Sequence, residues 1–258
     1  FGLLDDQHGA RLLQLWDRCE PQPHTHAHVN PNSLTLSAWD AHLLVESAEL
    51  QHGVPFSAEP GMRLIATHQE PYHDIFRFGP GDYRGQAGLA MGAHNGVVVD
   101  GRDVTHPQWI AAGRQIAFVN GPVASLVVSD TTPIYEATGI ALTRATRAAL
   151  ADKILGGFVV GDALGSRGRR RFEWQVHARG SCLPLPGGVL IRTREGIGLE
   201  IRNGAGRPYV LRPLPSYPAV LEGESTRLRC RADGRSARFL HLLRPFRIRP
   251  VIADLTDG

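Results

Sequence analysis

The sequence has almost no lysine, few cysteines and no long apolar run. All but one of its 28 basic side chains are arginine, the exception being Lys153. A surface of arginine forks suits carboxylates and sulfates. The cysteines Cys19, Cys182 and Cys230 are odd in number, far apart and without CxxC spacing. That argues for buried thiols, leaves room for one disulfide, and gives no sign of a thiolate zinc cluster. No run of about 18 apolar residues occurs, so no membrane-crossing helix is expected. The opening FGLLDDQHGARLLQLW lacks a basic segment followed by an apolar one and does not read as a signal peptide, although a processed chain would have lost it. A net charge of +3 permits an acidic partner without demanding one. The clearest basic run, Arg167-Gly168-Arg169-Arg170-Arg171, has no aromatic stacking platform beside it and matches no nucleic-acid motif. It reads as decoration on a hairpin tip, so neither nucleic acid nor membrane is expected as a partner.

What is present is two-residue alternation. Leu34, Leu36 and Ala38 alternate with Ser33, Thr35 and Ser37; Phe172, Trp174 and Val176 alternate with Glu173, Gln175 and His177. Thr226, Leu228 and Cys230 repeat the pattern, and Phe239 to Leu243 follow. Side chains on a strand alternate between faces, so these read as half-buried strands. Val97-Val98-Val99 and Phe158-Val159-Val160 read as strands buried on both faces. Turn signals separate the runs: Asp100-Gly101, Gly187-Gly188, Asn203-Gly204 and Asp233-Gly234. Thr143 to Lys153 holds helix formers, but its apolar spacing suits a strand equally. The expectation is an all-β protein, a large multi-stranded antiparallel β-sandwich. With 258 residues it is long enough for one large β domain, or for a division with a smaller C-terminal β subdomain from about residue 165. Residues 51–85 are the least regular part, and long irregular connections on a β scaffold often carry function.

His24, His26 and His28 alternate with small residues. On an extended strand they would form one row. Imidazole ligates zinc and similar divalent metals, and a site needs further ligands. Glu46 ends the apolar run Leu43-Leu44-Val45, an odd place for a carboxylate unless paired or coordinated. His94 directly precedes the apolar strand at Val97. Two histidines and a glutamate from adjacent strands would make a zinc site with an open fourth position. The bland alternatives are a surface histidine row, a solvated Glu46 and a satisfied core His94.

These segments resemble a family. His26-Ala-His28-Val-Asn30-Pro-Asn-Ser33, then Leu43-Leu-Val-Glu46, is similar to the HxHxD and following strands of heparinase II/III-like polysaccharide lyases. Ala93-His94-Asn95-Gly96-Val97-Val98-Val99-Asp100-Gly101 resembles that family's AHNTVxVDG strand. Gly157 to Asp162 with Phe172 to His177 resembles a family hairpin, and Phe239 to Pro245 a late strand. Here Asn30 stands for Asp, Glu46 for Asp, Gly96 for Thr, and Asp40 for a frequent turn glycine.

The resemblance implies a C-terminal β-sandwich of an enzyme that cleaves uronic-acid polysaccharide, glycosaminoglycan or alginate, by β-elimination. It implies a metal, zinc above all, on His28, Glu46 and His94, with His26 facing the substrate and His24 without a counterpart. Tyr72 and Tyr83 are the candidates for the catalytic tyrosine, and Arg84 and Asn95 for substrate contacts. An α/α toroid precedes the sandwich in the family. This chain starts near the first sandwich strand, Arg11 to Asp17, so the toroid is expected from another chain or from the rest of a longer product. The place of action is secreted or periplasmic, in a bacterium. Two other readings stay open. One is a non-catalytic sandwich that binds acidic glycans or buttresses a partner. The other is a cupin-like metalloenzyme, against which the long gap from His28 to Glu46 speaks.

Overall fold

The computed structural model describes residues 2–5, 11–16, 32–39, 41–45, 94–102, 113–214 and 225–248. They form fourteen strands and one short helix. In chain order the strands begin with Gly2–Asp5 (β1), Arg11–Trp16 (β2), Ser33–Ala38 (β3), Ala41–Val45 (β4) and Val97–Val99 (β5). Arg114–Asn120 (β6) and Ala124–Asp130 (β7) follow, then the helix Thr132–Ala137 (α1), Arg144–Asp152 (β8) and the 23-residue strand Gly157–Arg179 (β9). Ser181–Leu185 (β10), Gly188–Arg192 (β11), Ile197–Asn203 (β12) and Val210–Leu214 (β13) lead to a second 23-residue strand, Ser225–Arg247 (β14). All pairings are antiparallel. The strand path is β1-β2-β3-β4-β9-β14-β12-β11-β10; the β6–β7–β8 meander and β5 join through β9, and β13 through β14. The expected all-β antiparallel sandwich is the fold found. Among the described residues no helix is long and apolar enough to cross a membrane.

Two layers arise because β9 and β14 pair along their whole length and bend together. Trp174 pairs with Cys230, and Val160 with His241. Cys230 and His241 are eleven positions apart, about 36 Å on a straight strand. Yet the Trp174 and His241 rings stack at 3.7 Å with 20° between planes, and Asn203, the partner of His241 on β12, donates from Nδ2 to Cys230 Sγ at 3.0 Å. Only a folded-over strand pair brings those residues face to face. The bend falls at Gly165–Arg170 on β9 and at a register slip between Gly234 and Ser236 on β14. The slip moves the inward set from Thr226, Leu228, Cys230 and Ala232 to Ala237, Phe239, His241 and Leu243. An extra residue flips strand parity in this way. Burial pushes the His241 imidazole down to about 3, with the Arg147 charge adding to it, so the ring sits neutral between the layers, its Nδ1 against Tyr209 Oη.

Three sequence expectations change here. Gly157–Val160 and Phe172–His177 are two ends of one strand rather than a hairpin, Arg167–Arg171 lies at its bend rather than at a tip, and Asp233-Gly234 is the matching slip rather than a turn. Bends inside strands and tight turns use the same small residues, which is why composition did not separate them. Thr143–Lys153 resolves as the strand β8. Val97–Val99 is buried throughout, whereas Val159 is only half-buried. Asp100-Gly101 is a tight turn with both residues at positive φ (56° and 65°) and Arg102 N–H donating to Val99 O. Of the described cysteines, Cys230 is buried and Cys182 half-buried.

Helix α1 was not read from the sequence. It is six residues long, with Pro133 in its first turn, where a missing N–H costs nothing. Asp130 Oδ1 accepts from Thr132 N–H and Oγ1 at its start. The helix serves to bury Tyr135, whose hydroxyl donates to Val97 O at 2.6 Å. Tyr135→Phe keeps the ring and removes that bond, so stability falls by about 1–2 kcal/mol. Urea unfolding checks this; an unchanged midpoint would show the bond to be idle.

Candidate functional site

The site is built on a charged pair inside the sandwich. On β8 the residues 145, 147, 149 and 151 face inward, so Arg147 is forced into the core opposite Asp162 of β9. The Arg147 side chain is fully buried and Asp162 nearly so. Their contact is a two-pronged fork, Nε to Oδ1 at 2.8 Å and Nη2 to Oδ2 at 3.0 Å. A buried charge persists only when paired and hydrogen-bonded. The remaining nitrogen, Nη1, donates to the backbone carbonyls of Asn32 and, at 3.1 Å, Asn95. Arg147 therefore ties two chain-distant segments to one guanidinium. Asn32 is fixed further by Ser129 Oγ, which donates to its Oδ1, and by Thr131 Oγ1, which accepts from its Nδ2 at 2.9 Å.

Asn95 is the second hub. Its backbone N–H donates to Ser33 Oγ at 2.9 Å. Its Nδ2 donates to Leu34 O at 2.7 Å and to Val45 O at 2.9 Å. With both amide hydrogens on carbonyls, Oδ1 must be the acceptor, and it receives the His177 N–H at 2.7 Å and His177 Nδ1 at 2.9 Å. His177 Nδ1 is accordingly protonated, and Nε2 carries the lone pair. Burial first, then the charges of Arg227 and His94, hold this imidazole down to about 3, so it is neutral. His94 is itself buried, and its carbonyl accepts from Gln175 Nε2 at 2.9 Å.

Of the residues singled out in the sequence, His94 and Asn95 lie together in this network. His26, His28, Glu46, Tyr72, Tyr83 and Arg84 lie outside the described residues, as does Cys19. Two described residues lie near them in the chain: Val45, next to Glu46, is bonded to Asn95, and Asn32, four positions after His28, is bonded to Arg147. Asn95, expected at the substrate, has a different place. It is fully buried, and its amide is committed to strands β3, β4 and β9, so it acts as an internal strut. Among the described residues no three potential metal ligands cluster.

Sequence reading missed Arg147, Asp162, Asn32 and His177 as site elements. A signal existed for the first pair, since Arg147 sits at an inward position of an alternating strand. Nothing in the sequence could pair it with Asp162 before the register was known.

No family model and no curated protein matches the chain. Solved structures do. A heparinase III gene product superposes with a TM-score of 0.66 at 11% identity, over 92% of this chain and 33% of that one. Heparan sulfate lyase HepC from Pedobacter heparinus gives 0.64 at 14% identity, over 93% and 33%. A further heparinase III gives 0.64 at 12%, over 93% and 34%. The chain has the fold of the C-terminal portion of heparinase III. It spans about a third of the length of those proteins. At such low identity the likeness is one of fold.

Proposed function

We propose that the chain is the β-sandwich portion of a polysaccharide lyase acting by β-elimination on a uronic-acid-containing polysaccharide. The observation that supports this is convergence among the described segments: Arg147 joins Asn32 to Asn95, and Asn95 joins Val45 to the segment that begins at His94. The heparinase III fold supports the same reading.

In the reaction a base removes the proton at C5, the C4–O bond breaks, a C4–C5 double bond forms, and an acid protonates the departing oxygen. C5 is weakly acidic, so the adjacent carboxylate must be neutralised for charge to build on it. We assign carboxylate neutralisation or proton transfer to His26, acid–base work to Tyr72 or Tyr83, and substrate contact to Arg84. Asn95 is assigned positioning instead of the sugar contact first expected of it.

His28, Glu46 and His94 offer two imidazoles and a carboxylate, a donor set that fits a divalent metal such as zinc. Bound there, the metal would supply a fixed cross-link between the segments, and His26, two positions from His28, would be aimed by it. An α/α toroid, on another chain or on the remainder of a longer product, completes the cleft. The place of action under this reading is the periplasm or the exterior of a bacterial cell.

The test follows the ultraviolet absorbance of unsaturated products from heparan-type, heparosan-type and alginate polymers, with and without the toroid. Wild type should generate it in the presence of the toroid, and His28→Ala should lose both bound metal, by elemental analysis, and most activity. Binding without product on every polymer would give the non-catalytic glycan-binding reading instead.

A further inference from the structure

We propose that the outer surface at the bend of β9 and β14 is a second contact for the anionic polysaccharide, on the sheet face opposite the one that carries Arg147. Five arginines, Arg144, Arg167, Arg169, Arg235 and Arg238, are exposed there. The register groups them: Arg144 lies opposite Gly165, Gly165 opposite Ser236, and Ala163 opposite Arg238. Arg167 and Arg169 continue the outward positions of β9, and Ser166 Oγ, 2.6 Å from Gly168 O and 3.2 Å from Arg235 O, pins the bend so that Arg235 sits beside them.

None of the five forms an ion pair among the described residues. Their neighbours along the same strands do: Arg170 with Asp100, Arg171 and Arg229 with Glu173, Arg231 with Asp233. Asp162, the one carboxylate in these stretches of β8, β9 and β14, faces inward and is held by Arg147. The surface thus neutralises its arginines on one side of the bend and leaves them free on the other. Adjacent like charges on a sheet are destabilising, so the uncompensated group is a cost that an anionic ligand would relieve. Arginine's planar fork matches carboxylates and sulfates in two-pronged contact.

The exposed positions of this surface carry no aromatic ring, Phe239 being turned into the core, so it lacks the platform that single-stranded nucleic acid requires. It is also open: a side chain at Gly168 would meet nothing within 4 Å. Arg169 and His177 are eight positions apart on β9, about 26 Å if extended. A polymer can reach both places and a short oligosaccharide cannot. The inference takes its ligand class from the proposed reaction but does not need turnover.

The test replaces all five arginines with glutamine in the otherwise intact protein. The probes are a long unsulfated polyuronate, a sulfated polymer of equal length, a short oligosaccharide of each, and single-stranded DNA of matched length. Affinity for the long polysaccharides at low salt should fall about tenfold, with a shallower salt dependence, while the melting temperature of the free protein rises slightly as the like-charge repulsion is removed. Sulfated and unsulfated arms tell which anion the forks prefer. Short oligosaccharides should bind as before, and in active enzyme KM should rise on polymer alone. Unaltered polymer affinity would overturn the proposal, as would DNA binding as tightly as polysaccharide with the same arginine dependence. A protein that binds polymer through these arginines and makes no product would sink the lyase reading while leaving this one standing.

Discussion

Replacing Arg147 with methionine will lower the unfolding free energy by about 3–5 kcal/mol. Methionine matches much of the volume, so the loss is not one of packing. It comes from Asp162, left as a buried carboxylate without its fork, from the Asn32 carbonyl, left without its donor, and from the Asn95 carbonyl, left with the Leu34 N–H alone. Arg147→Lys will fall between, since an ammonium keeps the charge but cannot serve four acceptors with fixed planar geometry. The double variant Arg147→Met/Asp162→Leu should recover much of the stability, because apolar pairs often replace buried ion pairs at little cost. It should not recover the site, because the Asn32 carbonyl is no longer tied to the Asn95 carbonyl through one guanidinium. Urea midpoints for the three variants decide the stability part, and metal content or product formation of the double variant decides the rest. A double variant as functional as wild type would show the clamp to be irrelevant to the site.

Asn95→Ala should be comparably severe, at about 3–5 kcal/mol. It strips the donor from Leu34 O and Val45 O and the acceptor from the His177 backbone N–H and ring Nδ1, and each buried group left unsatisfied costs about 1–3 kcal/mol, partly offset where water enters. Asn95→Asp preserves size and still fails, since a carboxylate cannot donate to two carbonyls. The diagnostic readout is the His177 ring. In wild type its nitrogen resonances should show Nδ1 protonated; Asn95→Ala should release that preference. A ring whose tautomer is unmoved would mean that Asn95 does not set it.

Much of the layout was readable from residues alone because strands announce themselves by alternation. β3, the second half of β9 and the ends of β14 all follow from which positions are apolar, whereas the apolar spacing of β8 suited helix and strand alike. What alternation cannot encode is a strand that folds over. Gly165, Gly168 and Gly234 look like ordinary punctuation, and only the Trp174–His241 stack shows that both layers are drawn from the same two strands. The site was half legible in the same sense. His94 and Asn95 stood out by their position before an apolar strand. Asn95 was misplaced at the substrate because a sequence does not reveal that all four of its hydrogen-bonding capacities meet partners inside the protein. Arg147 was overlooked because Thr143 to Lys153 suited a helix as well as a strand, and only the strand turns Arg147 inward.

The shared strands have a mechanical outcome. In a sandwich assembled from separate ribbons, the leaves are held by side-chain adhesion and by loops at the rim. Here the peptide backbone itself passes from one leaf to the other through Gly165–Arg170 and Gly234–Ser236, so a force prying them open loads covalent bonds as well as packed rings. Arg147, on the strand that flanks the first leg of β9, and Asn95, on the segment that flanks the second, are bolted to opposite legs of the same fold. The spacing between the Asn32 and Asn95 segments is thereby tied to the stiffness of one crease.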